Sequence, residues 1–371
     1  MMKPGLKVAL VCDWLTTMGG AERVILELHE IFPEAPIYTS SYSPERMPLF
    51  KDADVRTGFI QKLPFSGKHQ LWPVLRRFYF GNLKLKGYDL VISLSGAEAK
   101  AVQAPNGIHI NYCFSPTHYY WVRPDEYLAA KTGGGIGILN PIWRFGLMLL
   151  KPWMKRWDYL AAQSPDYIIT LSTEVQKRIK QYYNRDSVII YPPVDIDRFT
   201  PKKTPPERNG YLIVGRQVHH KRFDLAVKAC TELNLALRVI GNGPEHDYLK
   251  SIAGPTVEFL TAVDDNEIAG YFQSAEGYIF PQEDDFGIVA VEAMAAGTPV
   301  IAFSAGGSLD TVIEGKTGVF FHKQSTKSLQ EALESFSEIK WNHEEIIEST
   351  DKFSTKQFEN KLEGYISELY N

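Results

Sequence analysis

The 371-residue chain has only three cysteines, Cys12, Cys113 and Cys230, which are far apart and lie in or beside apolar runs. This spacing fits buried thiols better than a disulfide framework or a zinc site, so it predicts a reducing, cytoplasmic environment. The chain also lacks an apolar run of the roughly 18 residues that a bilayer span needs. A strand is predicted within about six residues of Met1, which leaves no room for a signal peptide. We therefore expect neither export nor a membrane-spanning segment.

An excess of charge of one sign is also missing. The 40 Lys and Arg residues nearly balance the 44 Asp and Glu residues, and the net charge is −4. Because a polyanion binder needs a basic surface, this balance argues against nucleic acid as a partner. The length exceeds the size at which a single hydrophobic core stops growing, which predicts two domains.

The first half of the chain alternates strand-like apolar runs with helical segments. The first run, 7–12, ends at Asp13 and is followed by Gly19, Gly20 and a helical pattern over 21–31. Strand, glycine loop and helix are the opening of a βαβ unit. Further strands are predicted at 90–93, 109–114, 167–171 and 187–191. Residues 1–195 are therefore predicted to form a parallel α/β domain.

The second half repeats this alternation after a change in composition. Residues 191–206 contain five prolines, which is typical of an interdomain linker. A helix is predicted at 221–233, and Asp264 with Glu267 predicts a capping box. Strands are predicted at 211–214, 236–240, 256–259, 277–280 and 298–302. Residues 205–350 are thus predicted to form a second domain, and a helix within 351–371 is expected to pack back across the domain boundary.

The fold class that follows is α/β, with two Rossmann-like, doubly wound parallel-sheet domains. Ligands of such folds bind at the carboxyl ends of the strands. We therefore expect these ends to face a cleft between the domains, and the active site to lie in that cleft.

The stretch 281–302, PQEDDFGIVAVEAMAAGTPVIA, has an acidic cluster just before Gly287 and a further acid at Glu292. A helix that starts near Gly287 would offer free N–H groups to a phosphate. Asp284 on its entry loop and Glu292 in its second turn could accept hydrogen bonds from sugar or ribose hydroxyls. This pattern predicts a binder of a nucleotide sugar. The alternative is that the acids only cap an ordinary helix.

Five short motifs occur in order along nearly the whole chain. They are GGAERV at 19–24, YPPVD at 191–195, VGRxxxxKRFDLAV at 214–227, GNGP at 241–244 and DDFGIVAVEAMAAGTPVIA at 284–302. Together they resemble the retaining glycosyltransferases of family 4, which have the two-domain architecture called GT-B. The motifs at 214–227 and 284–302 are most similar to those of bacterial mannosyltransferases of O-antigen and exopolysaccharide assembly.

The resemblance implies roles for individual residues. Arg216 and Lys221 would grip the diphosphate of the donor and neutralise the charge on the leaving group, although a surface ion pair is the alternative. Asp284 would meet the transferred sugar, and Glu292 would accept the ribose hydroxyls. The other expected donor-binding residues are Gly19, Gly20, Gly215, Gly241, Gly287, Ile288 and Val289.

Two positions depart from the family pattern. Asp284 stands where the family has glutamate, so either Asp284 or the neighbouring Glu283 contacts the sugar. Phe114 stands where relatives commonly carry a histidine near the anomeric centre. His118, four residues further on, is the candidate to replace it, and the alternative is a packing role in an aromatic patch.

No metal or further cofactor is expected. The pairs Asp264–Asp265 and Asp284–Asp285 resemble magnesium ligands, but magnesium sites also draw on substrate phosphates. The basic pair Arg216 and Lys221 already occupies that role, so we expect metal-independent transfer.

The acceptor side is predicted from the first domain. On a helical projection, apolar side chains share one face while Lys151, Lys155 and Arg144 line its flank. This is typical of an interfacial helix, although the same face could pack on the core. Pro152 would break or kink this helix. The apolar residues are Trp143, Leu147, Leu150, Met154 and Trp157.

With the resemblance, these features imply a retaining hexosyltransferase that uses a nucleotide sugar, with GDP-mannose as the leading donor. The acceptor is expected to be a glycan or a polyprenyl-diphosphate-linked sugar at the inner face of the cytoplasmic membrane. The alternatives are a nucleotide-sugar hydrolase or epimerase of the same fold and a catalytically silent sugar-nucleotide-binding subunit. A nicotinamide-dependent dehydrogenase is disfavoured, because His246 stands where a third glycine would complete G-x-G-x-x-G.

Overall fold

The computed structural model describes residues 5–67, 72–122, 140–202 and 207–370, with the side chains of the helix that begins at Asn140 described from Leu149 onward. The chain forms two compact units. Unit 1 comprises Met1–Pro192 and Glu359–Asn371, and unit 2 comprises Pro193–Phe358.

Unit 1 is built on a seven-stranded sheet whose described pairs are all parallel, in the order β3-β2-β1-β4-β5-β6-β7. Its inner strands are almost entirely buried, because both faces of a parallel sheet are covered. β1, for example, is buried along its whole length. The strands are β1 Val8–Cys12, β2 Ile37–Thr39, β3 Val55–Thr57, β4 Leu90–Ser95, β5 Ile108–Cys113, β6 Tyr167–Thr170 and β7 Val188–Ile189. β2 and β3 were not predicted, since runs of three residues carry no periodic signal.

Helices cover this sheet. In α1 the buried residues Val24, Ile25 and Leu28 form the expected apolar stripe. In the described parts of unit 1 the α-helices are α1 Gly20–Ile31, α2 Pro73–Asn82, α3 Asn140–Ala161, α4 Thr173–Tyr183 and most of the last helix, Thr355–Leu369. The predicted break at Pro152 is wrong, because α3 is one continuous helix. Pro152 is exposed, so water can satisfy the carbonyl that its missing N–H leaves free.

The last helix returns the chain to unit 1. The ring of Tyr365 lies 6.3 Å from that of Tyr167 in an edge-on contact. Just beyond the helix, the Tyr370 hydroxyl donates a hydrogen bond of 2.7 Å to the Asp89 carbonyl. These contacts attach the carboxyl-terminal residues to the sheet of unit 1.

Unit 2 has a six-stranded sheet whose described pairs are again all parallel, in the order β10-β9-β8-β11-β12-β13. Its strands are β8 Tyr211–Val214, β9 Leu237–Ile240, β10 Val257–Leu260, β11 Gly277–Phe280, β12 Val300–Phe303 and β13 Gly318–Phe321. β13 was not predicted. Two parallel α/β sheets confirm the predicted fold class.

The helices of unit 2 are mostly short. They are α5 Ile196–Phe199, α6 Phe223–Glu232, α7 His246–Ser251, α8 Ile268–Gln273, α9 Ile288–Ala295, α10 Ser308–Thr311, α11 Thr326–Ser337 and α12 His343–Glu348. The predicted capping box before α8 is wrong. The Asp264 carboxylate accepts from the Asn266 amide at 2.8 Å, and Glu267 itself is the N-cap without a side-chain bond.

A buried ionic cluster holds α3 in unit 1. Asp158 of α3 is fully buried and lies 2.7 Å from the Lys100 ammonium. Its carboxylate also accepts from the Thr117 hydroxyl at 2.8 Å, the Trp121 indole at 2.7 Å and the Tyr183 hydroxyl at 2.7 Å. One carboxylate therefore ties α3 to the segment after β5 and to α4.

We predict that Asp158→Asn destabilises unit 1 by about 3–5 kcal/mol, because it leaves the Lys100 ammonium buried without its counter-charge. Thermal unfolding followed by circular dichroism measures the loss. The matched control is Asp186→Asn, which removes an exposed ion pair with Lys180 and should leave the melting temperature unchanged. Equal melting temperatures for Asp158→Asn and the wild type would contradict this prediction.

Candidate functional site

Both candidate sites lie where the strand order of a sheet reverses. In unit 1 the reversal is between β1 and β4, and in unit 2 it is between β8 and β11. The chain segments that leave the two strands at this point run to opposite faces of the sheet. A crevice therefore opens between them at the carboxyl ends of the strands. Each unit has a cluster of polar residues at this position.

In unit 2 the crevice brings Lys221 and Asp284 together. Lys221 ends a short turn, His219–Lys221, that follows β8, and Asp284 lies in the loop after β11. The Lys221 ammonium is 2.5 Å from the Asp284 Oδ2 atom, and both side chains are about one quarter exposed. The Gln282 amide donates to the same oxygen at 3.3 Å. The pair is thus partly desolvated but still open to a ligand.

Arg216 lies shortly before Lys221 in the chain but takes no part in the Lys221–Asp284 ion pair. It follows Gly215 at the end of β8, and its side chain is exposed. Among the described residues, none forms an ion pair with its guanidinium. Of the two predicted diphosphate ligands, Lys221 already has a carboxylate partner and Arg216 has its charge available for an anion.

The helix predicted after the acidic cluster is confirmed. α9 spans Ile288–Ala295, and its N-cap, Gly287, has φ 86° and ψ 56°. A Cβ atom at Gly287 would lie 2.7 Å from the Phe280 ring, so both the conformation and the space require glycine. Ile288 and Val289 form the first turn, where amides lack intrahelical acceptors.

Glu292 and Asp284 lie close to the same tyrosine. Glu292, in the second turn of α9, is only 6% exposed. Burial, with the nearby charges of Asp284 and Glu292, raises the pKa of Tyr278 well above its usual value of 10.0. Tyr278 is on β11 and its hydroxyl donates to the Val214 carbonyl at 3.4 Å. Both acids, eight residues apart in sequence, therefore act electrostatically on Tyr278 of β11. The neighbouring Glu283 has its side-chain stem 3.1 Å from the position of a Cβ atom at Gly306.

Gly241 and Gly215 allow two loops to pack backbone to backbone beneath this site. A Cβ atom at Gly241, whose φ is +118°, would lie 2.2 Å from the Gly215 carbonyl oxygen. The buried Gln217 fixes the same contact, because its side-chain amide donates to the Gly241 carbonyl at 2.7 Å. Its main-chain amide donates to the Asn242 carbonyl at 3.0 Å. Sequence reasoning missed Gln217, although a polar residue inside the motif VGRQ was the available signal.

Unit 1 has a cavity of about 230 Å³ at its own point of reversal. Phe114, which departs from the family pattern, and His118, the candidate to replace the missing histidine, both line it. So do residues that follow β1 and β4 and residues of the first turns of α1. The lining residues are Cys12, Asp13, Trp14, Leu15, Ala21, Glu22, Ile25, Leu94, Gly96, Phe114, His118 and Tyr119.

Asp13 joins the two strands on either side of the reversal. Its carboxylate accepts hydrogen bonds from three main-chain amides after β4, those of Gly96 at 2.9 Å, Ala97 at 2.9 Å and Ala99 at 2.7 Å. Burial, reinforced by the charge of Glu98, raises its pKa to about 6. Sequence reasoning used Asp13 only to mark the end of a strand, although its place at the carboxyl end of β1 was a signal.

Glu22 closes the amino terminus of α1. It is the third residue of the helix and receives a hydrogen bond from the Gly19 amide, which is half of a capping box. A Cβ atom at Gly19 would lie 3.1 Å from the Glu22 Oε2 atom. Burial raises the pKa of Glu22 to about 7, with a further contribution from the charge of Asp13. The amide of Gly19, expected to bind the donor, thus has a partner, while Gly20 begins the helix.

The apolar face predicted for α3 is split between the core and the surface. Met154 is buried, Trp157 is half-buried and Leu150 is 40% exposed. The side chains of Trp143, Arg144 and Leu147 lie outside those that the structure describes. The most exposed large apolar side chains of α3 are Leu149, Leu150, Trp153 and Leu160.

Basic residues accompany this exposed surface. The Arg77 guanidinium of α2 lies 3.4 Å from the centre of the Trp153 ring, and Lys155 lies 4.2 Å from the Trp121 ring. None of the helices in the described parts of the chain combines the length and apolarity that crossing a bilayer requires. All three cysteines are buried, as predicted.

Two family models match consecutive parts of the chain. The model described as Glycosyltransferase Family 4 matches residues 18–198, and the model described as Glycosyl transferases group 1 matches residues 194–353. The second range contains Arg216, Lys221, Asp284 and Glu292, so the polar cluster of unit 2 lies within the residues that this model matches.

Proteins similar in sequence are also named as glycosyltransferases. The capsular polysaccharide biosynthesis glycosyltransferase CapM of Staphylococcus aureus is 27% identical over 164 residues, which cover 42% of this chain and 42% of CapM. The D-inositol 3-phosphate glycosyltransferase 2 of Catenulispora acidiphila is 32% identical over 159 residues, covering 35% of this chain and 37% of that protein. The chain spans about half the length of such relatives, for example 50% of the uncharacterised glycosyltransferase MJ1178 of Methanocaldococcus jannaschii at 25% identity over 47% of this chain.

Solved structures match over almost the whole chain. The lipopolysaccharide outer core galactosyltransferase WaaB gives a TM-score of 0.70 at 16% identity, covering 97% of this chain and 99% of WaaB. HepE of Anabaena, solved in complex with UDP, gives a TM-score of 0.71 at 15% identity, covering 98% of this chain and 100% of HepE. At this level of identity the likeness establishes the fold, which is the two-domain GT-B fold.

The raised pKa of Glu22 predicts a pH-dependent stability. Between pH 4.5, the usual pKa of the group, and about pH 7, the folded chain holds a proton that the unfolded chain has lost. Stability therefore falls as the pH rises through this window. Glu22→Gln removes the cost of ionisation, so above pH 7 the variant should be more stable than the wild type by about 1–3 kcal/mol.

Denaturant unfolding at pH 4.5 and pH 8 measures this difference, which should vanish at the lower pH. The control is Glu30→Gln, an exposed position of the same helix with the same change in charge. A wild type as stable as Glu22→Gln at pH 8 would show that burial of Glu22 carries no ionisation cost.

Proposed function

We propose that the chain is a glycosyltransferase and, more narrowly, a retaining hexosyltransferase of cell-surface polysaccharide synthesis; its GT-B fold and the two matching glycosyltransferase models support this proposal. It would move a sugar from a nucleotide sugar to a glycan or to a polyprenyl-diphosphate-linked acceptor. The observation that carries this proposal is the ion pair of Lys221 and Asp284 at the point of reversal in unit 2, with Arg216 exposed at the end of β8 and Glu292 buried in α9.

The cluster suits the diphosphate of a donor. Arg216 has its guanidinium available, and planar guanidinium groups bind phosphate oxygens with two parallel hydrogen bonds. Lys221 can exchange part of its contact with Asp284 for a phosphate oxygen. Asp284 is then free to accept hydrogen bonds from the transferred sugar, and Glu292 from the ribose.

In the proposed reaction the bond between the anomeric carbon and the phosphate oxygen breaks, and a bond from that carbon to the acceptor oxygen forms on the same face. The departing phosphate oxygen takes the proton of the acceptor hydroxyl. Arg216 and Lys221 stabilise the negative charge that develops on this oxygen. We propose metal-independent transfer, since these two cations supply the charge that a metal ion would otherwise provide.

GDP-mannose is the proposed donor. The support is the similarity of the motifs at 214–227 and 284–302 to those of bacterial mannosyltransferases. A panel of nucleotide sugars tests it directly. Turnover with a UDP-sugar and none with GDP-mannose would leave the transferase proposal intact and replace the donor.

We predict that Arg216→Ala and Lys221→Ala each lower kcat/KM by roughly 10²–10³-fold, because each removes a cation from the leaving group. Lys250→Ala, an exposed lysine of α7 in the same unit, is the control and should retain activity. The activity should also persist in EDTA. Release of free sugar at the same rate with and without acceptor would instead indicate a hydrolase.

The exposed surface of α3 supports peripheral contact with the inner face of the cytoplasmic membrane. Its apolar side chains can enter the interfacial region while Arg77, Lys151 and Arg156 face anionic headgroups. A polyprenyl-linked acceptor would be presented at this surface.

We predict that the protein sediments with vesicles that contain phosphatidylglycerol and less with pure phosphatidylcholine. Replacing Leu149 and Trp153 by serine should reduce the bound fraction several-fold, because their apolar area no longer enters the bilayer. Tyr248→Ser is the matched control, as Tyr248 is 47% exposed but lies in unit 2. Equal sedimentation of the double variant and the wild type would contradict membrane contact through α3.

A further inference from the structure

Unit 2 has a cavity of about 250 Å³ at the end of its sheet opposite to the Lys221–Asp284 pair. Tyr211 is the first residue of β8 and Glu276 directly precedes β11, so the cavity lies at the amino ends of these strands. Its other walls include residues at the end of α11 and in the segment that leads into α12. The proposed function uses none of its lining residues.

Two buried hydrogen-bond donors on this cavity have no partner. Tyr211 is only 5% exposed, and its hydroxyl forms no hydrogen bond within the part of the chain that the structure describes. The Nε1 atom of the Trp341 indole is buried and likewise finds no acceptor among the described residues. Because buried polar groups are rarely left unpaired, a cavity that gathers two of them is a place where a ligand can supply the missing acceptors.

Arg208 adds a guanidinium that is only partly used. Its Nη1 atom donates to the Ala275 carbonyl at 2.9 Å and to the Thr298 hydroxyl at 2.6 Å, with a longer contact of 3.5 Å to the Phe272 carbonyl. Its Nη2 atom donates to the Ala296 carbonyl at 3.0 Å. A guanidinium has five N–H donors, so the Nε–H and one N–H of Nη2 remain. Two such neighbouring donors form the fork that binds a carboxylate.

The charge of Arg208 is also uncompensated. Burial lowers the pKa of Arg208 to about 10, and no described carboxylate forms an ion pair with it. The guanidinium lines the cavity, so an anionic group placed there would gain a partner that the protein itself does not provide.

Glu276 contributes a carboxylate on the exposed side of the same cavity. Its side chain makes neither an ion pair nor a hydrogen bond with the residues described. Burial, with the charge of Glu276, raises the pKa of Tyr211 to about 12. The cavity therefore presents one unpaired cation and one unpaired anion. A ligand with a single charge would face a like charge on one side, whereas a ligand with both charges matches both.

Aromatic rings form the apolar wall. The rings of Phe336 and Trp341 lie 5.0 Å apart at an angle of 36°, and the Tyr211 ring lies 5.9 Å from that of Phe336. Such a wall packs well against another ring. The volume is below the usual range for drug-sized ligands, which limits the occupant to a small molecule with one ring.

We infer that this cavity binds a small zwitterion, an α-amino acid with an aromatic side chain. Its carboxylate accepts hydrogen bonds from the Arg208 fork and the Tyr211 hydroxyl, its ammonium faces Glu276, and its ring packs against Phe336 and Trp341. The site is separate from the proposed donor crevice, and the inference does not depend on the proposed function.

Isothermal titration calorimetry on the full chain tests the inference. The probes are L-phenylalanine, hydrocinnamate, which keeps the carboxylate but lacks the ammonium, and phenethylamine, which keeps the ammonium but lacks the carboxylate. We expect L-phenylalanine to bind at least tenfold more tightly than either analogue. Failure of L-phenylalanine to bind, or an analogue that binds equally well, would overturn the inference.

Two variants with matched controls assign the binding to this cavity. Glu276→Gln should weaken binding of L-phenylalanine about tenfold, because the ammonium loses its partner, and should not weaken binding of hydrocinnamate. Glu258→Gln, at an exposed position of β10, is its control. Tyr211→Phe should keep the wild-type melting temperature, since it breaks no hydrogen bond with a described residue, yet weaken binding several-fold. Its control is Tyr248→Phe, at an exposed position of α7.

Wild-type affinity for L-phenylalanine in either Glu276→Gln or Tyr211→Phe would contradict the inference. Arg216→Ala, at the opposite end of the sheet, should bind L-phenylalanine as the wild type does. Loss of binding in that variant would place the amino acid in the donor crevice and would equally overturn the inference.

Discussion

The reversal of strand order in each sheet is the constraint on which both sites depend. Where the first and fourth strands of a unit lie side by side, residues distant in sequence meet at their carboxyl ends. In unit 2 this places Lys221 2.5 Å from Asp284, and in unit 1 it places the Asp13 carboxylate on three amides after β4. Each contact joins the loops on the two sides of the crevice, so each fixes the positions of the residues around its site.

The crevice of unit 2 has the electrostatic character that an anionic ligand needs. It offers an exposed guanidinium and a lysine that a ligand can recruit. The leaving group of the proposed reaction is anionic, so these two cations are the groups that would stabilise it.

Much of the fold and part of the sites were predictable from sequence because they depend on local patterns. Buried parallel strands give continuous apolar runs, and the start of α9 was marked by acids before Gly287. The short strands β2 and β3 were missed because three residues carry no period, and the capping box at Asp264 was wrong because the carboxylate bonds an amide within its own turn. The positions of Gln217 and Asp13 in the sequence mark them as candidates, but their hydrogen-bond partners become known only from the order of strands in the sheet.

A crystal structure of the chain with a bound nucleotide sugar is the most direct test of the central claim. The account predicts a diphosphate within hydrogen-bonding distance of Arg216 and Lys221, with the ribose hydroxyls on Glu292 and the sugar beside Asp284. A nucleotide bound anywhere else in unit 2, or a diphosphate that leaves Arg216 without a contact, would contradict it.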